Sequence, residues 1–333
     1  MKKLLISLSV MVIVTSALIF GEIIKNSIEP IPINVSSDHI TWVDFSVPKS
    51  ALDDALSLDI ETYGTEEHIS MARSLAYLSA KNYGELGKYK KGSLKKLIDE
   101  IKEPKKHLKN LKLYNYYLEA YSATVGGLTG SYRKLTYNSD GSVTESREYG
   151  LRAFSPVASG YYYNDYDDFG ASRSYGYKRS HLGHDMLGSI GTPIIAVESG
   201  IVEACGWNQY GGWRIGIRSF DGMRYYYYAH LRKDHPFTGI YEGKIVNAGE
   251  VIGYLGMTGY STKENTNNIN IPHLHFGLEL IFDKEQKDGY NQIWIDVYSL
   301  TKFLYKNRSE VVYNKSTGEY TSKNVYIYDE TPD

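Results

Sequence analysis

The feature that most limits the possible folds is a change of texture at Gly126-Gly127. Before it the apolar residues recur with a helical period. Met71, Leu75 and Leu78 share one face, with Thr65 placed to cap a helix and Glu66 and Glu67 in its first turn. Ser93 precedes a stripe of Leu94, Leu97, Ile98 and Ile101 that Pro104 ends, and Tyr114, Tyr117, Leu118, Tyr121 and Val125 form a third stripe. After it, Tyr132 to Tyr149 alternates around Asn138-Ser139-Asp140-Gly141-Ser142, a hairpin signal. From about residue 160, glycines punctuate short β-branched or aromatic runs such as Ile194–Val197, Arg224–His230 and His273–Leu280. That pattern predicts a β-rich unit of short strands and tight turns.

The N-terminus constrains compartment. Met1-Lys2-Lys3 precedes a stretch without charge from Leu4 to Gly21; as a helix it would run about 27 Å, near the thickness of a hydrocarbon core. It reads as an uncleaved signal anchor or a cleaved signal peptide, with Thr15-Ser16-Ala17 as a possible cleavage site. Either exports the rest of the chain and leaves the two lysines in the cytoplasm. The single cysteine, Cys205, excludes an intramolecular disulfide and a cysteine-based zinc finger. A net charge of −2 gives no reason to expect a nucleic-acid partner. Ten lysines between Lys88 and Lys112 read as a solvated helix face rather than a contact for an anionic wall polymer or membrane.

Three short clusters carry chemistry: Arg179-Ser180-His181-Leu182-Gly183-His184-Asp185, Tyr225-Tyr226-Tyr227-Tyr228-Ala229-His230-Leu231 and Pro272-His273-Leu274-His275-Phe276-Gly277. On a strand, alternate residues share a face, so His273 and His275 project together, as do Tyr228 and His230. If 181–185 is extended, His181 and Asp185 share a side and His184 leans away. Two imidazoles and one carboxylate with an open fourth position suit a catalytic zinc, and further histidines nearby suit proton transfer. No His-Glu-x-x-His helix occurs, which excludes a zinc site with a glutamate base of that type.

These clusters resemble the lysostaphin/LytM-type zinc endopeptidases, which cut peptide cross-links of bacterial peptidoglycan. His181…Asp185, Tyr228-Ala229-His230 and His273-Leu274-His275 match the family pattern in order. Gly191-Thr192-Pro193-Ile194, Gly200-Ile201-Val202 and Thr258-Gly259-Tyr260-Ser261-Thr262 fall in the family's sequence between them. The resemblance covers roughly 165–283. It implies that His181, Asp185 and His275 bind one Zn2+ per chain, that His273 is the general base, and that His230 orients water or stabilises the tetrahedral intermediate. Tyr228 either donates to the developing oxyanion or is a packing residue. Two departures stand out: His184 where the family has a small aliphatic, read as buried beside the ligands, and an inserted Lys263–Ile271, read as a groove wall or a solvated loop.

The expected fold is α+β: a small N-terminal helical domain and a C-terminal all-β peptidase domain built on an antiparallel sheet. The expected boundaries are 1–21 for the signal segment, 22–64 for a linker or extended segment, and 65–130 for the helices. A β-hairpin connector at 131–160, the peptidase domain at 161–300 and a C-terminal hairpin and tail at 301–333 complete the chain. The expected function is zinc-dependent hydrolysis of stem or cross-link peptides by an exported, membrane-anchored or secreted enzyme facing the cell wall. The alternative is a non-catalytic scaffold of the same fold that regulates other wall enzymes.

Overall fold

A computed structural model describes residues 40–175 and 177–329. The N-terminal apolar run lies outside the described residues; among those described, no helix is long and apolar enough to cross a membrane. The centre is a nine-stranded, mainly antiparallel sheet. Its central strand, His273–Leu280, pairs along one edge with Arg224–Ala229. Its other edge is shared by two short strands, His184–Leu187 beside the first half and Ile293–Ile295 beside the second. Arg224–Ala229 continues the sheet through Gly212–Ser219 and Gly200–Asn208.

The alternation expected on these strands is present. Tyr226 and Tyr228 are fully buried on one face, with Leu274, Phe276 and Leu278 from the neighbouring strand, while His273, His275, Tyr225 and Tyr227 are half-buried on the other. The buried face packs on the helices: Leu52, Leu75, Ile101 and Val125 belong to the same apolar cluster as Ile215, Tyr226 and Phe276. Helices and sheet therefore share one core. Arg224, with no exposed surface, reinforces the joint. Its Nε donates to Glu198 at 2.8 Å and its Nη1 to the Ala123 carbonyl at 2.7 Å, near the end of the helix Leu111–Val125.

Several boundaries differ from the sequence expectation. The segment 22–64 is no linker in its described part. Thr41–Val43 adds a parallel strand to the sheet edge, and Lys49–Thr62 is a helix burying Ala51, Leu52, Ala55 and Leu58. Its weak apolar contrast hid it, because two of its acidic residues, Asp54 and Asp59, lie on the buried side among the apolar ones. Ser70, not Thr65, caps the next helix, Met71–Lys81, its side chain accepting from the Arg73 N–H. The Ser93 stripe forms a 3-10 turn, Leu94–Leu97, and a short helix, Ile98–Lys102; Pro104 then opens another at Pro104–His107, where its missing N–H costs nothing. The connector and the tail are also not separate pieces. Asn324–Tyr328 pairs with Thr129–Tyr137, completing a three-stranded sheet with Val143–Leu151 across nearly two hundred residues of chain.

Candidate metal centre

Strand register assembles the site. His275 stands directly opposite Asp185 in the pairing of His273–Leu280 with His184–Leu187. Phe276 stands opposite His184, so His184 faces the core and Asp185 the half-open side. His181 precedes that strand. It is fixed by backbone bonds to its neighbouring loop: its N–H donates to the Ala171 carbonyl at 2.9 Å, and the Gly170 N–H donates to its carbonyl at 2.7 Å. Gly183 supplies the space, since a Cβ there would meet His275 Cε1 at 2.6 Å.

The result is a triangle of donor atoms. His181 Nε2 lies 3.0 Å from Asp185 Oδ1 and 3.1 Å from His275 Nδ1, and His275 Nδ1 lies 2.9 Å from Asp185 Oδ1. Among the described residues these three are the group of nitrogen and oxygen donors able to hold a metal ion. Donors around one tetrahedral zinc stand about 3.3–3.5 Å apart, given bonds of about 2.0–2.2 Å. A small outward shift therefore fits the ion, and the donor set of two imidazoles and one carboxylate is one that zinc accepts. Burial favours an uncharged Asp185, yet the imidazoles of His181 and His275 beside it outweigh that and hold the carboxyl far below its usual range. Burial instead dominates at His275 and lowers its pKa, so its ring is neutral and carries a lone pair for a metal.

His273 and His230 border this triangle. His273 Nε2 lies 3.7 Å from Asp185 Oδ1, and its Nδ1 is 2.8 Å from the Ile271 carbonyl. His230 Nδ1 is likewise 2.8 Å from the Thr258 carbonyl. A carbonyl only accepts, so both rings carry a proton on Nδ1, which in the neutral ring leaves the lone pair on Nε2. The two rings stand 4.8 Å apart, and burial pushes the His230 pKa well down, which keeps it neutral.

Of the two readings of Tyr228, the packing residue holds and the oxyanion donor does not. Its ring is fully buried, and its hydroxyl accepts the Val197 N–H at 3.0 Å on the core side of the sheet. The alternation fails because the strand ends at Ala229 and His230 takes a left-handed backbone, φ 61°, which turns its side chain to the opposite face. Tyr227 is the tyrosine on the site side, its ring 6.1 Å from that of His275. His184 is buried as expected: its Nδ1 meets the Thr301 hydroxyl at 2.8 Å, and burial lowers its pKa to about 4. The inserted loop is pinned beside the site, with Trp213 Nε1 donating to Asn265 Oδ1 at 2.9 Å and Asn268 Nδ2 donating to the Tyr260 carbonyl at 2.7 Å.

Sequence reasoning missed the residues behind the triangle. Arg179 donates to the Tyr260 hydroxyl, and the Tyr260 ring lies 5.8 Å from that of His230. Asp168 and Arg173 adjoin His181 and Asp185. Arg179 begins a recognisable cluster, but no local pattern marks the other two.

Residues 179–289 match peptidase family M23. Over 167 residues the chain is 35% identical to the L-Ala–D-Glu endopeptidase of Bacillus subtilis, covering 50% of this chain and 47% of that protein. Over 97 residues it is 42% identical to lysostaphin of Staphylococcus simulans, covering 29% of this chain and 17% of that protein. The chain thus spans less than half the length of either relative. Among solved structures, a Ruminococcus gnavus protein provisionally assigned as the glycyl-glycine endopeptidase lytM shares the fold. It gives a TM-score of 0.53 at 20% identity, over 81% of this chain and 95% of that one.

Proposed function

From a chain that carries a peptidase family M23 domain and resembles peptidoglycan endopeptidases, we infer a zinc-dependent endopeptidase that hydrolyses stem or cross-link peptides of bacterial peptidoglycan. The observation that carries this reading is the donor triangle of His181, Asp185 and His275, bordered by two further imidazoles whose Nε2 lone pairs are unengaged by the carbonyls that fix them. When bound, zinc polarises a carbonyl and makes water acidic enough to act as a nucleophile near neutral pH. His181 Nε2, Asp185 Oδ1 and His275 Nδ1 would hold it. His273 Nε2 is placed to take the proton from the attacking water, because its Nδ1–H is tied to Ile271 and its ring cannot rotate away. His230, held the same way by Thr258, keeps a second acceptor beside it and orients the water. The half-open side of the sheet, with Tyr227 and the pinned 263–271 loop, forms the wall against which an extended peptide lies. An exported location, with residues 1–21 as anchor or leader, places this site at the wall.

The experiment is metal analysis of the purified chain followed by incubation with purified sacculi and mass spectrometry of the released fragments. One zinc per chain and new amine termini at a single peptide bond are expected, and the fragment masses identify that bond. Stoichiometric zinc with no amine released over long incubation would favour the scaffold reading instead.

A further inference from the structure

Behind the donor triangle lies a second layer of charge. Asp168 Oδ1 is buried without a hydrogen bond of full geometry, and His181 Nδ1, the ring nitrogen away from the triangle, stands 3.0 Å from it. The same imidazole nitrogen is 3.4 Å from the Asp168 main-chain carbonyl. Both neighbours are acceptors, so Nδ1 must carry a proton, and in the neutral ring that a metal would require the lone pair is then on Nε2. The other oxygen of Asp168 receives the Arg173 guanidinium, and the same Arg173 Nη2 lies 3.6 Å from Asp185 Oδ2, the oxygen turned away from the triangle. Arg173 sits on the hairpin of Ser172–Tyr175 and Tyr177–Ser180, which runs directly into His181.

We propose that Asp168 and Arg173 are positioning residues of the metal site, a closed ring in which Asp168 orients His181 and Arg173 braces both carboxylates. This rests on reading the triangle as a zinc centre. An imidazole that binds a metal through one nitrogen gains basicity and a fixed plane when the other donates to a carboxylate. Here that carboxylate would swing freely on its loop without a partner, and Arg173 supplies one. By engaging Asp185 Oδ2 as well, the guanidinium leaves a single oxygen, Oδ1, for the ion.

The test uses the full chain and zinc itself, with affinity measured by competition against a chromogenic chelator. Asp168→Asn is expected to weaken zinc binding by about 10–100-fold, with the melting temperature of the stripped protein unchanged. Arg173→Met is expected to weaken it by a smaller factor, although it removes a cation that repels a divalent ion; tighter binding would show that Arg173 acts as a charge alone and overturn the brace. The ring ¹⁵N shifts of His181 give a readout that needs no variant: protonated Nδ1 and coordinated Nε2 in the wild type support the proposal, and the reverse tautomer overturns it. Wild-type protein that binds no zinc would remove the zinc reading and this ring together. Wild-type protein that binds one zinc, with Asp168→Asn equal to it within twofold, would remove the ring alone.

Discussion

Two aspartate–histidine clusters among the described residues differ in what their neighbours can give. Asp59, fully buried in the helix Lys49–Thr62, receives the Met71 N–H at 2.8 Å, the Thr129 hydroxyl at 2.9 Å, the Tyr149 hydroxyl, and His68 Nε2 at 2.8 Å. Each oxygen has two partners, so the roughly four acceptor positions of the carboxylate are filled. Asp185 instead meets two imidazole nitrogens that also face each other at 3.1 Å. His181 carries a proton on its far nitrogen, so as a neutral ring it brings only a lone pair to Asp185 Oδ1, and a cation between the two satisfies both. Residue identity is thus a poor guide to a metal site. The direction of the unengaged lone pairs is a better one.

The largest effect that would break this contrast is loss of the ion. His275→Ala is expected to reduce bound zinc from one per chain to none after dialysis against a weak chelator, measured by elemental analysis. Zinc retained at full stoichiometry would show that the triangle is no more a metal site than the Asp59 cluster. Next comes the chemistry: His273→Ala should keep its zinc and lose about 10²–10⁴-fold in turnover on defined muropeptides, the usual contribution of a proton-transfer group. Equal loss of zinc would make His273 a ligand.

Asp59→Ala should act on the other cluster only. Leaving its buried donors unpaired costs about 3–5 kcal/mol in denaturant unfolding, with zinc stoichiometry unchanged in the folded protein. A fall in zinc content with no loss of stability would reverse the assignment of the two clusters.

A buried carboxyl with too few partners offers the smallest and most specific effect. Glu279 lies on the same strand face as His273 and His275 but is only 4% exposed, and burial raises its pKa from 4.5 to about 7 despite nearby Arg218. The folded state therefore holds a proton that the unfolded chain releases earlier. Stability contributed by that proton is present below pH 4.5 and is lost as pH rises toward about 7. Glu279→Gln should accordingly be neutral at pH 4 and stabilise by about 2–3 kcal/mol at pH 8, read from unfolding curves at the two pH values. The same gain at both values would rule out titration as the cause.

Much of the site was legible because its pieces are local. The two-residue spacing of His273 and His275 puts them on one face of any strand, and the four-residue spacing of His181 and Asp185 allows them to meet. Tyr228 shows where the reasoning stops: a rule of alternation holds only while the strand continues, and the left-handed turn at His230 ends it. The helix Lys49–Thr62 was missed for a related reason, since Asp54 and Asp59 occupy its buried side and are paid for by partners far along the chain, Tyr89 and Thr129 among them.

By itself, then, the order of residues determined the helical and β-rich halves, the sheet faces and the identity of the donors, because periodicity and side-chain chemistry are properties of neighbours. Tertiary structure decided the rest. It set His275 opposite Asp185 and brought His181 within reach across 94 residues. It placed Asp168 and Arg173 behind them and joined helices and sheet in one core. Those outcomes depend on strand register and on which buried polar atoms find partners, and both are settled only when the whole chain has closed around them.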